Sequence, residues 1–232
     1  MAVKLIIGAD RGIANAMART LHDRGDDVVA ACFGDGADLR ELGVSVESGV
    51  DVTSDEAVTG LAKNLEQAGT RIDWLVNVAG IMHLDSLDTV DYDDVRKQFE
   101  INTLGPLRVV RELRDLLDEG SKVGILTSRI GSMNDNSSGG DYAYRISKAA
   151  ANMVALNLHH DLKKRGIAVQ ALHPGMVLTK LLDVVEPKLM EKYASAYSAP
   201  EDAASQLIGV LDALTVETAG QFQHANGDIL PW

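Results

Sequence analysis

The chain has 232 residues, of which 46% are hydrophobic and 24% are charged, a composition ordinary for a folded globular protein. Its 34 acidic residues outnumber 22 basic ones, and the formal net charge of -12 gives no electrostatic attraction to nucleic acid or to an anionic membrane. We therefore expect neither as a partner. The length is compatible with one continuous α/β core, so we predict a single domain over residues 1–232.

The cysteine content and the apolar runs of the sequence indicate the cellular compartment of the protein. Cys32 is the single cysteine, so no internal disulfide can form, and no Cys/His spacing resembles a zinc site. The first residues, MAVKLIIGAD, hold too short an apolar stretch for a secretory signal, and no later run is long enough to span a bilayer. The sequence predicts a cytoplasmic protein without a bound metal.

Short apolar segments alternate with amphipathic ones along the chain. Strands are predicted at Val3–Ile7, Val28–Cys32, Val44–Val50, Ile72–Val78, Lys122–Thr127 and Ile167–His173. Helices are predicted at Ile13–Arg24, Ser54–Ala68, Val90–Glu119 and Tyr142–Arg165. Repeated strand and helix alternation favours right-handed crossovers and a doubly wound parallel sheet with helices on both faces, the Rossmann fold.

Two segments between these elements are predicted to be loops. Asn134–Asp141 is rich in Asn, Ser and Gly and is expected to link a strand to a helix. Leu181–Pro200 follows the last long strand and is a candidate lid or substrate loop.

A glycine-containing turn follows the first strand directly. Gly8 permits a tight turn, and Gly12 lets the backbone approach a pyrophosphate at the start of the next helix. Ala14 stands where dinucleotide-binding fingerprints usually have a third glycine, and its small side chain still permits close helix packing. By spacing alone, a turn without a ligand is an equally good interpretation.

Tyr144 and Lys148 are four residues apart, which places both side chains on one face of a predicted helix. A phenol has a reference pKa of about 10, and a nearby ammonium favours its ionised form. Ser128 lies just beyond a predicted strand, where its hydroxyl can stabilise charge developing on a substrate oxygen. Ser132 is the alternative serine.

The order of these motifs resembles the short-chain dehydrogenase/reductase family across nearly the whole chain. The motifs are Gly8–Ala14, Asp51-Val52, Asn77-Val-Ala-Gly80, Asn102, Ser128, Tyr144-Arg-Ile-Ser-Lys148 and Pro174-Gly175. The segments Tyr144–Asn152, His173–Gly175 and Leu230–Trp232 are most similar to the branch that contains C-factor and carbonyl-reductase-like proteins.

The resemblance implies specific roles. Tyr144 would be the acid or base, Lys148 would also bind the nicotinamide ribose, Ser128 would bind the substrate oxygen, and Asn102 would hold a water in a proton relay. Ser128-Arg-Ile-Gly131 matches the family's serine and following glycine better than Ser132 does. The implied cofactor-binding residues are Gly8, Asp10, Arg11, Gly12, Ile13, Asp51, Val52, Asn77, Ala79, Gly80, Tyr144, Lys148, Pro174, Gly175, Val177 and Thr179.

Several of these residues also have plain structural interpretations. Asp51 can cap a turn before the helix near Ser54, and Asn77 can stabilise the sheet. Tyr142 is interpreted as packing and Ser147 as a helix residue with local hydrogen bonds.

The resemblance predicts an oxidoreductase that transfers hydride between a nicotinamide and a carbonyl or alcohol substrate, with carbonyl reduction favoured. A cofactor-binding signalling or regulatory protein with little turnover is the alternative, whereas Lys148 and the Gly8–Ala14 turn argue against dehalogenase chemistry. Homo-oligomers, dimers or tetramers, are expected through the two long helices.

Arg11 favours NADP(H), because family members use a basic residue before this glycine to meet the adenosine 2′-phosphate. Cys32 occupies the position of the acid that commonly selects NAD(H), which also favours NADP(H). Phe33 replaces an arginine common in the branch, and Asp35 or Asp38 could reach the ribose, so NAD(H) stays possible.

Overall fold

The computed structural model describes residues 2–185, 190–191 and 193–232. Its strands are β1 (Ala2–Ile7), β2 (Val28–Ala31), β3 (Ser45–Glu47), β4 (Arg71–Asn77), β5 (Leu117–Leu126), β6 (Ala168–His173), β7 (Met176–Val177), β8 (Tyr197–Ser198) and β9 (Phe222–His224). Its α-helices are α1 (Gly12–Asp23), α2 (Ala37–Glu41), α3 (Asp55–Gln67), α4 (Tyr92–Phe99), α5 (Gly105–Leu113), α6 (Tyr142–Leu162) and α7 (Pro200–Ala213).

A seven-stranded sheet in the order β3-β2-β1-β4-β5-β6-β9 forms the centre, and β7 pairs with β8 in a separate two-stranded sheet. Every pair of neighbouring strands in the large sheet is parallel. The chain builds outward from β1 to β3 and then returns to place β4 on the other side of β1. This topology confirms the predicted doubly wound fold, and its switch point lies between β1 and β4.

Successive residues of each strand point to opposite faces of the sheet, and both faces are covered by helices. In β1, Ile6 packs with residues of α1 and α7, including Met17 and Leu207. Its neighbours Leu5 and Ile7 pack on the opposite face with α3, α5 and α6. The predicted arrangement of helices on both faces is confirmed. Within the part of the chain that the structure describes, no helix has the length and apolar character needed to cross a membrane.

The prediction of one helix over Val90–Glu119 is wrong. The chain forms α4, then a π-helical segment at Glu100–Leu104, then α5 and a 3-10 turn at Arg114–Leu116, and β5 already begins at Leu117. Pro106 lies near the start of α5 and has no amide hydrogen to donate to the carbonyl of Asn102, so the regular hydrogen-bond ladder is interrupted there. Such π-helical turns occur frequently at functional sites.

Several elements near the carboxyl terminus were not predicted. Helix α7 covers one face of the sheet, and β9 adds its last strand beside β6. The predicted loop over Asn134–Asp141 contains no regular element and is confirmed. The candidate lid Leu181–Pro200 includes residues 186–189 and 192, which lie outside the described residues, and its described parts form short 3-10 turns and β8.

Candidate active site

The glycine-containing turn lies at the switch point of the sheet. Gly8 ends β1 with a φ of +83°, and a Cβ atom at this position would lie 2.8 Å from the Cα and the amide nitrogen of Ala79, just after β4. Only glycine fits both the backbone conformation and this close approach. The carboxyl ends of β1 and β4 are therefore brought together where open α/β sheets bind ligands.

Helix α1 presents free amide groups to this crevice. It begins at Gly12, and Arg11 before it makes no side-chain cap. A Cβ atom on Gly12 would lie 3.2 Å from the Thr179 methyl carbon, so the segment after β6 approaches the helix start. Arg11 itself is exposed and makes no hydrogen bond or ion pair with another described residue. Ile13, by contrast, is buried in the core.

Asp10 has a different environment from the rest of the turn. Its two carboxylate oxygens accept hydrogen bonds from the amides of Phe33 at 2.9 Å and Gly34 at 2.7 Å, just after β2. The carboxylate therefore fastens the glycine turn to the loop after β2. Nearby, Asp38 is held by Asn15 at 3.0 Å and Arg19 at 2.7 Å, so its carboxylate is directed to α1.

Tyr144 and Lys148 lie on the buried face of α6, as their spacing predicts. The Lys148 ammonium is 5.7 Å from the centre of the Tyr144 ring and donates to the carbonyl oxygen of Leu126 at 3.0 Å. Burial lowers the pKa of Lys148 to about 8. Burial also raises the pKa of Tyr144 to about 12, and a hydrogen bond with Ser128 opposes that increase. The sequence predicts that the nearby Lys148 ammonium favours the ionised phenol, but in the structure burial has the larger effect and the pKa of the phenol rises.

The structure distinguishes the two candidate serines. Ser128 follows β5, and its hydroxyl lies close enough to the Tyr144 phenol to oppose the increase in that phenol's pKa. The Ser132 hydroxyl is buried and accepts a hydrogen bond from the Asp135 amide at 3.1 Å, so it supports the following loop. The glycine between them is required for packing, because a Cβ atom on Gly131 would lie 2.6 Å from the Lys148 carbonyl carbon.

Asn102 lies in the π-helical segment and is almost fully buried. Its side chain accepts from the Ile81 amide and donates to the Ile81 carbonyl, both at 2.9 Å, and donates to the Ser147 hydroxyl at 3.0 Å. Ser147 also donates to the Tyr144 carbonyl at 2.8 Å, which confirms its local hydrogen bonding. A Cβ atom on Gly80 would lie 3.1 Å from Asn102 Oδ1 and 3.5 Å from Lys148 Nζ, so these three residues surround one small space.

Asp51, Val52 and Asn77 are expected to line the adenosine side of the cofactor, and Asp51 and Val52 also have structural contacts. Asp51 Oδ1 accepts from the Thr53 amide at 2.8 Å and from its hydroxyl at 2.7 Å, as a turn cap would. Val52 is buried, and its side chain lies 3.0 Å from where a Cβ atom on Gly105 would be. Asn77 is 2% exposed, and neither polar atom of its side chain has a partner among the described residues. This buried amide at the carboxyl end of β4 therefore has both polar atoms available to hydrogen-bond a ligand.

The turn after β6 faces the same edge of the sheet. Pro174 precedes Gly175, whose φ is +85°, and a Cβ atom on Gly175 would lie 3.5 Å from the His224 ring. The rings of His173 and His224 meet edge to face with their centres 5.0 Å apart. Val177 is buried in β7. The sequence pattern does not predict β9, which carries His224, so it gives no indication that these two rings meet.

The residues present fit a nicotinamide dinucleotide. A pyrophosphate needs hydrogen-bond donors and close approach to the backbone, and the uncapped start of α1 and the surfaces of Gly8 and Gly12 supply both. The unpaired amide of Asn77 is available to the adenosine. On the other side of the switch point, Lys148 provides a cation at the carboxyl end of β5.

Comparisons with known proteins agree with this geometry. A family model described as Enoyl-(Acyl carrier protein) reductase matches residues 8–210. The 1-hydroxy-2-glutathionyl-2-methyl-3-butene dehydrogenase of Rhodococcus sp. (strain AD45) is 55% identical over 232 residues, covering 100% of both chains. C-signal of Myxococcus xanthus is 39% identical over 164 residues, covering 69% of this chain and 93% of that protein. A solved structure from Burkholderia multivorans, described as a short-chain dehydrogenase/reductase with bound NADP, is 29% identical with a TM-score of 0.85, covering 100% of this chain and 99% of the other.

The chain therefore belongs to the short-chain dehydrogenase/reductase family and is an NAD(P)-dependent oxidoreductase. The match to C-signal agrees with the branch indicated by the sequence motifs.

Proposed function

We propose that the protein interconverts an alcohol and a carbonyl compound, with Tyr144 transferring the proton and Ser128 holding the substrate oxygen. The observation that supports this most directly is the proximity of the Ser128 hydroxyl to the Tyr144 phenol, with Lys148 beside them at the carboxyl edge of the sheet. This edge also carries the Gly8–Gly12 turn, so a reacting carbon can lie between a bound cofactor and the phenol.

The side chains have distinct tasks in this proposal. Burial keeps Tyr144 protonated at neutral pH, the form that donates a proton to a carbonyl oxygen during reduction. Ser128 donates a hydrogen bond to the same oxygen and stabilises its developing charge. Lys148 holds the ribose hydroxyls, and Asn102, fixed to Ile81, keeps a water in reach of the lysine. A bound nicotinamide supplies or accepts the hydride.

The substrate class follows from the relative in Rhodococcus. That enzyme is named for a hydroxy compound that carries a glutathionyl group, and it matches this chain over its full length at 55% identity. We therefore propose an alcohol with a glutathionyl thioether, or the corresponding carbonyl compound, as the substrate class. Carbonyl reduction remains the direction favoured by the protonated phenol.

The test compares wild type with Tyr144→Phe on glutathionyl alcohols, their aldehydes and a panel of simple ketones. We expect wild-type turnover on at least one of these compounds. The variant should lose about 100-fold or more in kcat while keeping cofactor affinity, because the ring stays and its proton is removed. Near-wild-type kcat in the variant, where chemistry limits the rate, would reject Tyr144 as the acid and base.

We also propose that NADPH is preferred over NADH through Arg11. Its guanidinium is exposed and unengaged among the described residues, whereas the carboxylate of Asp38 is held by Arg19 and that of Asp35 accepts from the Ala37 amide at 3.2 Å. A charge-assisted contact with a 2′-phosphate corresponds to about a tenfold to hundredfold preference. Equal kcat/KM for the two cofactors, or an unchanged ratio in Arg11→Ala, would contradict this proposal.

A binding role with little turnover is the second candidate, and the 39% match to C-signal favours it. The two functions differ in one measurement. At saturating cofactor, a signalling protein would bind the dinucleotide but turn over no member of the substrate panel.

We propose further that residues 1–232 form a single domain, that the protein acts in the cytoplasm and that it forms homo-oligomers. Ile146 and Met153, seven residues apart on α6, are 47% and 54% exposed, and Leu107 on α5 is 39% exposed. Burial of these side chains against a second copy would remove apolar surface from water. Light scattering that finds only monomer at working concentrations would contradict the oligomer.

A further inference from the structure

The start of helix α6 is capped by a residue far away in the sequence. Asp85 lies in the loop after β4, and its carboxylate accepts hydrogen bonds from the amides of Tyr142 at 2.5 Å and Ala143 at 3.0 Å. Its main-chain carbonyl also accepts from the Asp141 amide at 2.9 Å. Three consecutive amides at the head of the helix are therefore bound by one residue.

The local sequence supplies no equivalent cap. Asp141 occupies the N-cap position, yet its side chain makes no capping bond, and its φ of +49° is the single positive value among the described non-glycine residues. A left-handed conformation in a residue with a Cβ atom persists only where the surroundings hold it. The first amides of a helix have no partner within the helix, so this helix depends on Asp85 for them.

The segment that carries Asp85 is itself fastened to the site. Asn102 binds both main-chain polar groups of Ile81, and Gln98 donates to the His83 carbonyl at 3.1 Å. Three successive anchors thus hold residues 81–85 between the π-helical segment and α6. This short stretch of chain sets the distance between Asn102 and the head of the helix.

We propose that Asp85 is a positioning residue that holds the first turn of α6, and with it the Tyr144 phenol, beside the Ser128 hydroxyl. Tyr144 is the third residue of α6, so fraying of the first turn displaces it directly. Lys148 lies one turn further along and is buried, so its position depends less on this cap. The inference rests on the proposed alcohol and carbonyl chemistry.

The test uses Asp85→Ala and Asp85→Asn, with Asp91→Ala as the matched control. Asp91 is the local N-cap of α4, its carboxylate accepts from the Asp93 amide at 2.9 Å, and it is exposed. We expect Asp85→Ala to lower kcat about 10- to 100-fold, since small misplacements of reacting groups have effects of this size. Asp85→Asn keeps one acceptor oxygen and should have an intermediate kcat. Asp91→Ala should keep the wild-type kcat, and cofactor Kd should be unchanged in all three variants.

Two further measurements separate positioning from a general loss of stability. The deuterium isotope effect on hydride transfer should rise in Asp85→Ala, because the chemical step becomes more rate-limiting. Hydrogen exchange of the amides of residues 141–145 should accelerate in Asp85→Ala and stay at the wild-type rate in Asp91→Ala. The exchange experiment needs no substrate, so it remains decisive if the proposed function fails. The inference would be overturned by unchanged exchange at these amides in Asp85→Ala. It would also be overturned if Asp85→Ala had the wild-type kcat on a substrate that the wild-type enzyme turns over.

Discussion

Lys148 is a charged residue that is buried in the protein. Burial lowers its pKa to about 8, and the carbonyl of Leu126 is the hydrogen-bond acceptor within reach of its ammonium at 3.0 Å. An exposed lysine would keep its charge to a pH above 10, near its reference pKa of about 10.4. The charge on Lys148 is consequently sensitive to pH in a range where most enzymes are assayed.

This property leads to a prediction about cofactor affinity. The ammonium is present below a pH of about 8 and is lost above it, so cofactor Kd should rise as the pH passes through that value. Fluorescence titrations of cofactor binding between about pH 6 and pH 10 would measure the effect. This interval lies roughly between the reference pKa values of His and Lys. Lys148→Met should bind weakly at every pH and show no such step. A wild-type Kd that is flat across the range would contradict a ribose-binding role for Lys148.

At the scale of elements, the site depends on how closely the turn after β5 packs on α6. The 3-10 turn Arg129–Gly131 follows Ser128 immediately, and Gly131 packs against the backbone of α6. A Cβ atom on Gly131 would lie 2.6 Å from the Lys148 carbonyl carbon and 2.7 Å from the Ala149 amide nitrogen. Backbone atoms cannot rotate away as a flexible side chain would, so any side chain here must separate the two elements.

We therefore predict that Gly131→Ala lowers both turnover and stability. The expected loss of unfolding free energy is roughly 1–3 kcal/mol, typical of overpacking, and kcat should fall because Ser128 moves away from Tyr144. Gly209→Ala is the matched control, because a Cβ atom there meets nothing within 4 Å in the middle of α7. That variant should gain up to about 1 kcal/mol from helix propensity. Urea unfolding and steady-state kinetics on both variants would check the prediction, and a Gly131→Ala enzyme with wild-type kcat would contradict it.

At the scale of the whole molecule, the buried His173 at the end of the sheet makes the stability of the fold depend on pH. Burial, together with the nearby His224, Arg129 and Lys148, lowers the pKa of His173 to about 3. The unfolded chain binds a proton on this residue below about pH 6.5, its reference pKa, whereas the folded protein does so only near a pH of about 3. Protons therefore bind preferentially to the unfolded state across this window, and stability falls as the pH falls through it.

The corresponding prediction concerns His173→Asn. Wild type should lose about 1–2 kcal/mol of unfolding free energy between about pH 7 and pH 5 through this residue. The variant should lose correspondingly less over the same interval, even if its stability at neutral pH is lower. Urea unfolding at the two pH values gives the difference directly. His160→Asn is the control, since His160 is exposed on α6; equal pH dependence in wild type and His173→Asn would reject the assignment.

Features encoded over a few residues were available from the sequence alone. Apolar strands alternating with amphipathic helices determine the doubly wound sheet, because a continuous apolar run suits a strand buried on both faces and a 3.6-residue period suits a helix that covers one of them. The four-residue spacing of Tyr144 and Lys148, and the glycines after β1, depend only on local geometry. Local patterns could not reveal that the predicted helix Val90–Glu119 is interrupted. The π-helical segment owes its shape partly to hydrogen bonds between Asn102 and Ile81, which come from different parts of the fold.

The tertiary structure decided how these local features act on one another. Asp85 caps α6 from 57 positions away, and Asp10 binds amides 23 and 24 positions along the chain. The phenol of Tyr144 has a raised pKa because burial outweighs the opposing effect of the Ser128 hydroxyl, a balance that depends on packing from several elements. Sequence periodicity fixes which face of an element is buried, but hydrogen bonds and desolvation at the site depend on which distant segments meet there, and only the folded chain determines that.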